Sequence, residues 1–467
     1  MQKKRKIWLS LLIFFLVIIF VLVYLGYTTS KQFSWHKLLQ SNFVQRQVDE
    51  ENRDLFNLLP RFLGFDKSMT YLVLFENNTE LRPGGGFIGV YGVIKLNQGH
   101  LEVVQLEGTE NLDRNTPDGW RPVPPQPLSE HLKVDRWYFR DANWSPDFTQ
   151  SAAKALELYQ AEGGVEAEGI DAVVAFTPTV LEELLKITGP LIIQDLEFTS
   201  DNVTEKLEYE VEYGYDDKGL AFHERKQIIQ PFFSTLVNTV SSDLFNLPVY
   251  LKLLDKLAGE KHILVYTSDP DLQKVITAKN WTGQLAQVKS DYLLWVDANL
   301  AALKTDHAII RTLTYKLTPQ TDDRYLATTE MEYQHTGSFD WRTSRYRTYA
   351  RVFVPKGSQL VTAGFDQGEE LDKTWFGKFI SIEHGQSKTL RVEYFLSADI
   401  AEQIANNLYT LFVQKQLGTI AHELTLDLDF GKNIWSALPA ENQSNYGDAV
   451  YTLQTDLRVD RKFSIEF

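Results

Sequence analysis

The sequence contains no cysteine, which excludes a disulfide framework, thiolate metal sites and a cysteine nucleophile, and leaves the redox compartment open. Stability must therefore come from packing. Its nine histidines include no HxxxH or HExxH spacing and no GxxxxGKS/T loop occurs, so neither a histidine-built zinc centre nor a nucleotide-phosphate loop is expected. Basic charge is scarce as well: 47 Lys and Arg against 62 Asp and Glu leave a net charge of −15. A nucleic-acid partner is not expected, because displacing counterions needs a basic footprint. What remains is 467 residues, 43% apolar and 13% aromatic, enough for two globular domains with proper cores.

At the amino terminus Lys3-Lys4-Arg5-Lys6 precede an apolar run from Ile7 to about Tyr27, long enough to cross a bilayer core of ~30 Å. Its end, Tyr24-Leu25-Gly26-Tyr27-Thr28, lacks the small residues of a signal-peptide cleavage site, so residues 7–27 are expected to be an uncleaved transmembrane helix. The cations before the span, with only Lys31 and Lys37 soon after it, place residues 1–6 in the cytosol. The chain is then a single-pass protein of the cell membrane, its bulk extracytoplasmic. Residues 28–66 read as a helical stalk broken at Leu59-Pro60, with Leu55, Phe56, Leu58, Leu59 and Phe62 on its apolar side.

Residues 67–300 read as an α/β or α+β layered domain. Its opening strands, Tyr71 to Phe75 and Phe87 to Leu96, flank the densest polar stretch of the chain, Asn77 to Gly89, with Gly84, Gly85 and Gly86 in succession. Glycines there mark a turn or a close backbone approach. Two readings stand: a structural hairpin held by Asn77, Glu80 and Arg82, or a loop that holds a ligand phosphate. Leu101 to Leu106 adds a third strand, and the proline-rich residues 108 to 130 read as a long exposed loop. In Arg140-Asp141-Ala142-Asn143-Trp144-Ser145-Pro146-Asp147-Phe148, Ser145 and Pro146 are expected to open a helix, gathering polar groups where a helix dipole favours an anion. Ile170 to Phe176 is a short strand, followed by a helix from Thr177-Pro178 to Gly189. Helical spacing of apolar residues from Phe222 to Val240 places Arg225 and Gln227 near a helix start, and Ile263 to Tyr266 and Tyr292 to Val296 complete the domain. The candidate ligand-binding residues are Asn77, Glu80, Arg82, Gly84, Gly85, Gly86, Arg140, Asp141, Asn143, Trp144, Arg225 and Gln227.

These segments, with Thr188-Gly189-Pro190, resemble domain-of-unknown-function family 4012, bacterial membrane-anchored envelope proteins with no established activity; the resemblance covers most of residues 55 to 360. More distantly, the order of elements from Ile170 to Gly189 and on to Arg225-Lys226-Gln227 is similar to the LytR–CpsA–Psr family, which transfers glycopolymers from lipid pyrophosphate carriers. That family's Ser/Asp-Thr pair is replaced here by Gly85-Gly86-Phe87, and its Pro-Arg-Asp segment by Leu106-Glu107-Gly108-Thr109.

From Ile309 onward period-two segments dominate, with a helical signal only at Ala398 to Asn407, so residues 305–467 read as an all-β sandwich. Arg345, Arg347 and Arg351 share a strand face there and offer either a basic stripe or a solvated face paired with acids. Two functions follow. One is a non-catalytic cell-envelope protein that binds an envelope polymer, a lipid-linked precursor or a partner protein. The alternative is a LytR–CpsA–Psr-like phosphotransferase or hydrolase acting on a lipid-linked pyrophosphate glycopolymer. In it Arg82 and the glycine amides would hold phosphate, Arg140 and Arg225 would neutralise charge, and Asp141 or Glu80 would hold a proton or a divalent cation such as Mg. The alternative requires Arg82, Arg140 and Arg225 to converge on one cleft.

Overall fold

The computed structural model describes residues 53–243, 246–322 and 324–467. The expected transmembrane helix, and the stalk before Arg53, lie outside the described residues. Among the described residues no helix is long and apolar enough to cross a membrane. The first described element is α1 (Arg53–Phe62), which runs on through Pro60 instead of breaking there. Its Leu58 and Phe62 pack onto Met69, Tyr71 and Val73 of the first sheet.

That sheet is mixed. Strands β1 (Met69–Asn77), β2 (Phe87–Asn97) and β3 (His100–Gly108) form an antiparallel meander, β4 (Ala172–Phe176) lies parallel to β1, and β7 (Ile263–Thr267) lies antiparallel to β4. The order is β3-β2-β1-β4-β7. Because side chains alternate along β1, Leu72 and Leu74 meet Phe148, Ala152, Ala155 and Leu158 of helix α4 (Phe148–Ala161), while Tyr71 and Val73 meet Leu272 of α9 (Pro270–Ala278). Helices on both faces give the layered α+β architecture expected. A third apolar cluster joins α5 (Thr179–Thr188), the small hairpin β5 (Leu191–Ile193) and β6 (Leu196–Phe198), α6 (Val203–Tyr209) and α7 (Ile229–Ser242).

The proline-rich stretch differs from expectation: it holds two short helices, α2 (Thr109–Arg114) and α3 (Gln126–Leu132). Leu128 of α3 is fully buried against Ala298, Leu300 and Tyr349, and His131 stacks on Phe379 at 3.7 Å. The prolines prevent a ladder but not a packed excursion.

The remainder is a sandwich of two sheets, a seven-stranded and a six-stranded one. Strand β8 (Asp291–Asn299) lies in the middle of the larger sheet, antiparallel to β11 (Tyr346–Pro355) and parallel to β16 (Leu408–Val413). The segment Tyr292 to Val296, expected to complete the first domain, therefore belongs to the sandwich. All nine residues of β8 are buried: the apolar run Tyr292–Val296 needs cover on both faces, and Asp291, Asp297 and Asn299 are buried with hydrogen-bond partners in Tyr315, Arg311 and Asp306. Leu293 and Trp295 enter the sandwich core with Leu313, Tyr315, Val352 and Leu426, whereas Leu294 and Val296 pack outward on Leu285 and Phe353.

Candidate functional site

The glycine stretch is a connector wedged between the two domains. The Gly84 amide donates to the Asn143 carbonyl at 2.9 Å, the Gly85 amide to the Arg82 carbonyl at 3.0 Å, and the Asn143 side chain donates to the Gly86 carbonyl at 2.7 Å. Gly85 has φ +142°, and a Cβ there would lie 2.0 Å from Glu76 Oε2; from the sandwich side, a Cβ on Gly418 would lie 2.2 Å from the Gly85 carbonyl oxygen. Glycine is required for this contact, and these amides serve the protein itself. Arg82 is 2% exposed. It donates to Asp141 at 3.1 Å and to the Asn299 carbonyl at 2.6 Å, with Glu80 at 3.5 Å and the Phe87 ring beneath it. Leu81 donates its amide to Asp306 at 3.0 Å, and Asn299 returns its own to the Leu81 carbonyl. Arg82 is an interdomain tether and faces no cleft.

The second polar cluster is similarly closed. Asp147, two residues beyond the expected cap, is the N-cap of α4, and its carboxylate accepts from the Thr149 and Gln150 amides. A carboxylate of the chain thus occupies the place where an external anion was envisaged. Its other oxygen accepts from the Leu285 amide at 2.9 Å. Trp144 lies under the Arg351 guanidinium at 5.0 Å and accepts from it through its carbonyl. Arg351 is buried and paired with Glu370, and Arg345 pairs with Glu383, so no exposed basic stripe forms. Gln227 is exposed and donates to Glu224.

Open space lies on the other side of β1. Phe75 pairs with Val90 but Glu76 with Ile88, leaving Gly89 as an extra residue. Such a bulge bends the strand and re-aims its side chains, and Phe75 and Glu76, successive in sequence, line one cavity of about 240 Å³. Its apolar lining is built from Phe75, Phe176, Leu181, Leu207, Phe232 and Phe233. The Phe75, Phe176 and Phe233 rings meet edge to face with centroids 4.5–5.9 Å apart, a favoured aromatic geometry.

Charged groups surround this lining: Glu80, Glu110, Arg140, Glu208, Glu212, Arg225, Lys226 and Lys304. Arg225 bridges Glu110 at 3.0 Å and Glu212 at 2.9 Å. Lys226 pairs with Glu110 at 2.5 Å and donates to the Gly89 carbonyl freed by the bulge, and Lys304 pairs with Glu212 at 3.2 Å. Glu208 accepts from Asn77 at 2.8 Å and from Arg342 at 2.6 Å. Arg140 pairs with Asp113 at 3.1 Å and, at 3.7 Å, with Asp141, which it shares with Arg82.

Burial sets the ionisation here. It holds the Glu76 carboxyl well above its ordinary range, opposed only by the hydrogen bond from Asn143. Glu80 is raised by burial against the pull of Arg82 and Lys304. Burial also opposes ionisation of Glu110, but Lys226 and Arg225 overcome it and hold that carboxyl low. Behind Arg140, burial pushes Glu162 up to about 8, with the Asp113 charge adding to it, and pushes Asp113 up to about 6. Oε2 of Glu162 has no hydrogen-bond partner among the protein donors, and Asp113 is met only by Arg140, so a proton held between the two carboxyls is the donor that Glu162 lacks.

The structure thus brings Asn77, Glu80, Arg140 and Arg225 to one cavity, and sets Arg82, the three glycines, Asp141, Asn143, Trp144 and Gln227 outside its lining. The sequence reading missed Glu76, Glu110, Glu208, Glu212 and Lys304. A glutamate inside an apolar strand was the one available signal for Glu76; Lys304 comes from the far side of β8 and had none. Among the described residues no group of three or more His, Asp or Glu is placed to hold a metal ion. No curated protein matches the chain. Residues 66–212 do match a family model described as a protein of unknown function, DUF4012. The match takes in β1 to β4, the glycine connector, Arg140 and the cavity wall as far as Glu212, and it stops before Arg225 and Lys304. The first-domain segment 66–212 therefore belongs to the DUF4012 family of unknown function.

Proposed function

We propose that the protein is a membrane-anchored, extracytoplasmic envelope protein that binds a lipid-linked precursor, with the apolar chain in the cavity and the polar head among the charged groups around it. The observation that carries this reading is the division of one cavity into a phenylalanine-rich lining and a set of alternating cations and carboxylates. An apolar chain gains about 25 cal/mol for each Å² it buries, while Arg140 and Arg225 suit phosphate oxygens and the carboxylates suit hydroxyl donors. A single amphipathic molecule satisfies both parts, whereas a free polymer leaves the aromatic lining unused. The anchor at residues 7–27 would hold the cavity near the membrane that supplies such a molecule.

The test is binding of a polyprenyl phosphate in detergent by the full chain and by Phe233→Trp, which adds bulk to the cavity. Affinity should fall at least about tenfold, the loss of one buried hot-spot contact. Absence of binding to the unaltered chain would overturn the reading. A transferase or hydrolase acting on the same class of molecule is favoured by one observation, that Arg140 and Arg225 line the same cavity as the raised carboxyls of Glu76 and Glu80. It loses Arg82, which is committed to the domain junction, and the Gly84 and Gly85 amides, which donate to the Asn143 and Arg82 carbonyls. The described residues offer no ready ligand set for a magnesium ion, so no step through a metal is assigned.

A further inference from the structure

The helical segment that walls the cavity has a second face. From α6 the chain passes directly into a π-helical turn, Glu210–Gly214, an irregularity that tends to occur at functional sites because it costs regular hydrogen bonding. Leu207, Glu208, Val211 and Glu212 line the cavity. Tyr209 and Tyr213, which alternate with them, are 40% and 47% exposed. Their rings lie roughly parallel, 5.9 Å apart, and Trp341 of the sandwich stands edge-on to both at 5.5 and 5.7 Å. Arg342, next in sequence to Trp341, fixes this junction by pairing with Glu208 at 2.6 Å and Glu205 at 3.8 Å. An aromatic patch that spans two domains and is tied down by a buried ion pair is preorganised, and Glu212, which adjoins Tyr213 in sequence, also lines the cavity.

We propose that Tyr209, Tyr213 and Trp341 form a saccharide-binding platform, with Glu205 and Glu212 as acceptors for sugar hydroxyls. Sugar rings present apolar C–H faces that pack on aromatic rings and hydroxyls that donate to carboxylates, the two kinds of group found here. The carboxylates and the charge of −15 disfavour a nucleic acid, the other polymer that stacks on aromatic side chains. In sharing Glu212 with the cavity this inference rests on the lipid-linked reading above, and assigns the head of that molecule to the saccharides.

The full chain in detergent is titrated with two soluble probes, a β-1,4-linked N-acetylglucosamine tetramer and maltotetraose, and followed by tryptophan fluorescence and calorimetry. Binding of at least one probe is expected, weakened at least about tenfold in Trp341→Ala and in Tyr213→Ala and unchanged in Phe233→Trp. Circular dichroism of each variant confirms that it is folded, and Tyr213→Phe, which keeps the ring, should retain binding. Failure of both probes to bind overturns the platform, as does uptake of hydrophobic peptide in their place. Loss of sugar binding in Phe233→Trp overturns it too, by placing the sugar inside the cavity. Sugar binding that persists when the chain takes up no polyprenyl phosphate would sink the lipid reading alone.

Discussion

Two arginines that share a carboxylate behave as opposites. Arg82 and Arg140 both approach Asp141, yet Arg82 is enclosed by a carboxylate, two backbone carbonyls and a phenylalanine ring, while Arg140 keeps 32% of its side chain exposed and lines the cavity. The glycine connector repeats the contrast with the cavity wall. In the connector, amides and carbonyls find partners within the protein; across β1, an aromatic lining surrounds open space ringed by paired charges. Density of polar residues along the sequence marks the place where the domains are tied together, and the candidate site lies where the polar groups are spread over distant segments.

The sharpest way to break this comparison is Arg82→Ala. Removing it strips the Asn299 carbonyl of a donor and leaves the buried Asp141 only the more distant Arg140, so a loss of about 3 kcal/mol is expected, read as a large drop in denaturation midpoint. A change below about 1 kcal/mol would remove Arg82 from its role as tether.

A smaller effect is expected at the carboxyl pair behind Arg140. Asp113 and Glu162 have folded-state pKa values above their ordinary ones. Their contribution to stability is therefore full at low pH and is lost as pH rises from about 4 toward about 8. Glu162→Gln preserves an acceptor for the Phe139 amide and gives Asp113 a permanent donor. The variant should gain on the unaltered chain as pH rises, reaching roughly 1–2 kcal/mol at pH 8, measured as thermal midpoint against pH. Parallel pH profiles for the two proteins would show that the pair does not hold a proton.

The smallest change in stability is expected for Arg225→Ala. Glu110 keeps Lys226 and Glu212 keeps Lys304, so the cost should be about 1 kcal/mol or less, although polyprenyl phosphate affinity should fall about tenfold. Equal losses for Arg82→Ala and Arg225→Ala would erase the distinction between tether and site.

What was legible in the sequence follows the range of the interactions. Strands β1 and β2 and the helix closed by Gly189 are set by local alternation and helix-end signals, and they form where expected. The cap of α4 was misplaced from Asp147 to Ser145 because both are good caps; the choice is made by Leu285, whose amide binds the other oxygen of Asp147. The membership of β8 could not be read, since its apolar run Tyr292–Val296 fits the centre of either sheet. Arg347 and Arg351 do alternate on one strand face, but Trp144 and Glu370 cover Arg351, and that covering comes from elsewhere in the chain. For the same reason Arg140 and Arg225 were identified while Glu212, which links Arg225 to Lys304, was not.

The contact between Gly85 and Gly418 has a consequence for how the cavity can fill. Two backbones with no side chain between them leave no room for sliding, and Arg82 and Asp306 pin the same junction, so a hinge between the domains is closed to motion. Of the cavity wall, α6 and the π-helical turn are held to the sandwich by Arg342, which leaves α7, whose Ile229, Phe232 and Phe233 line the cavity, as the part that can yield. Entry would then proceed by that helix moving outward against a fixed sheet, and amide hydrogen exchange across residues 229–242 should report it before any other part of the first domain responds.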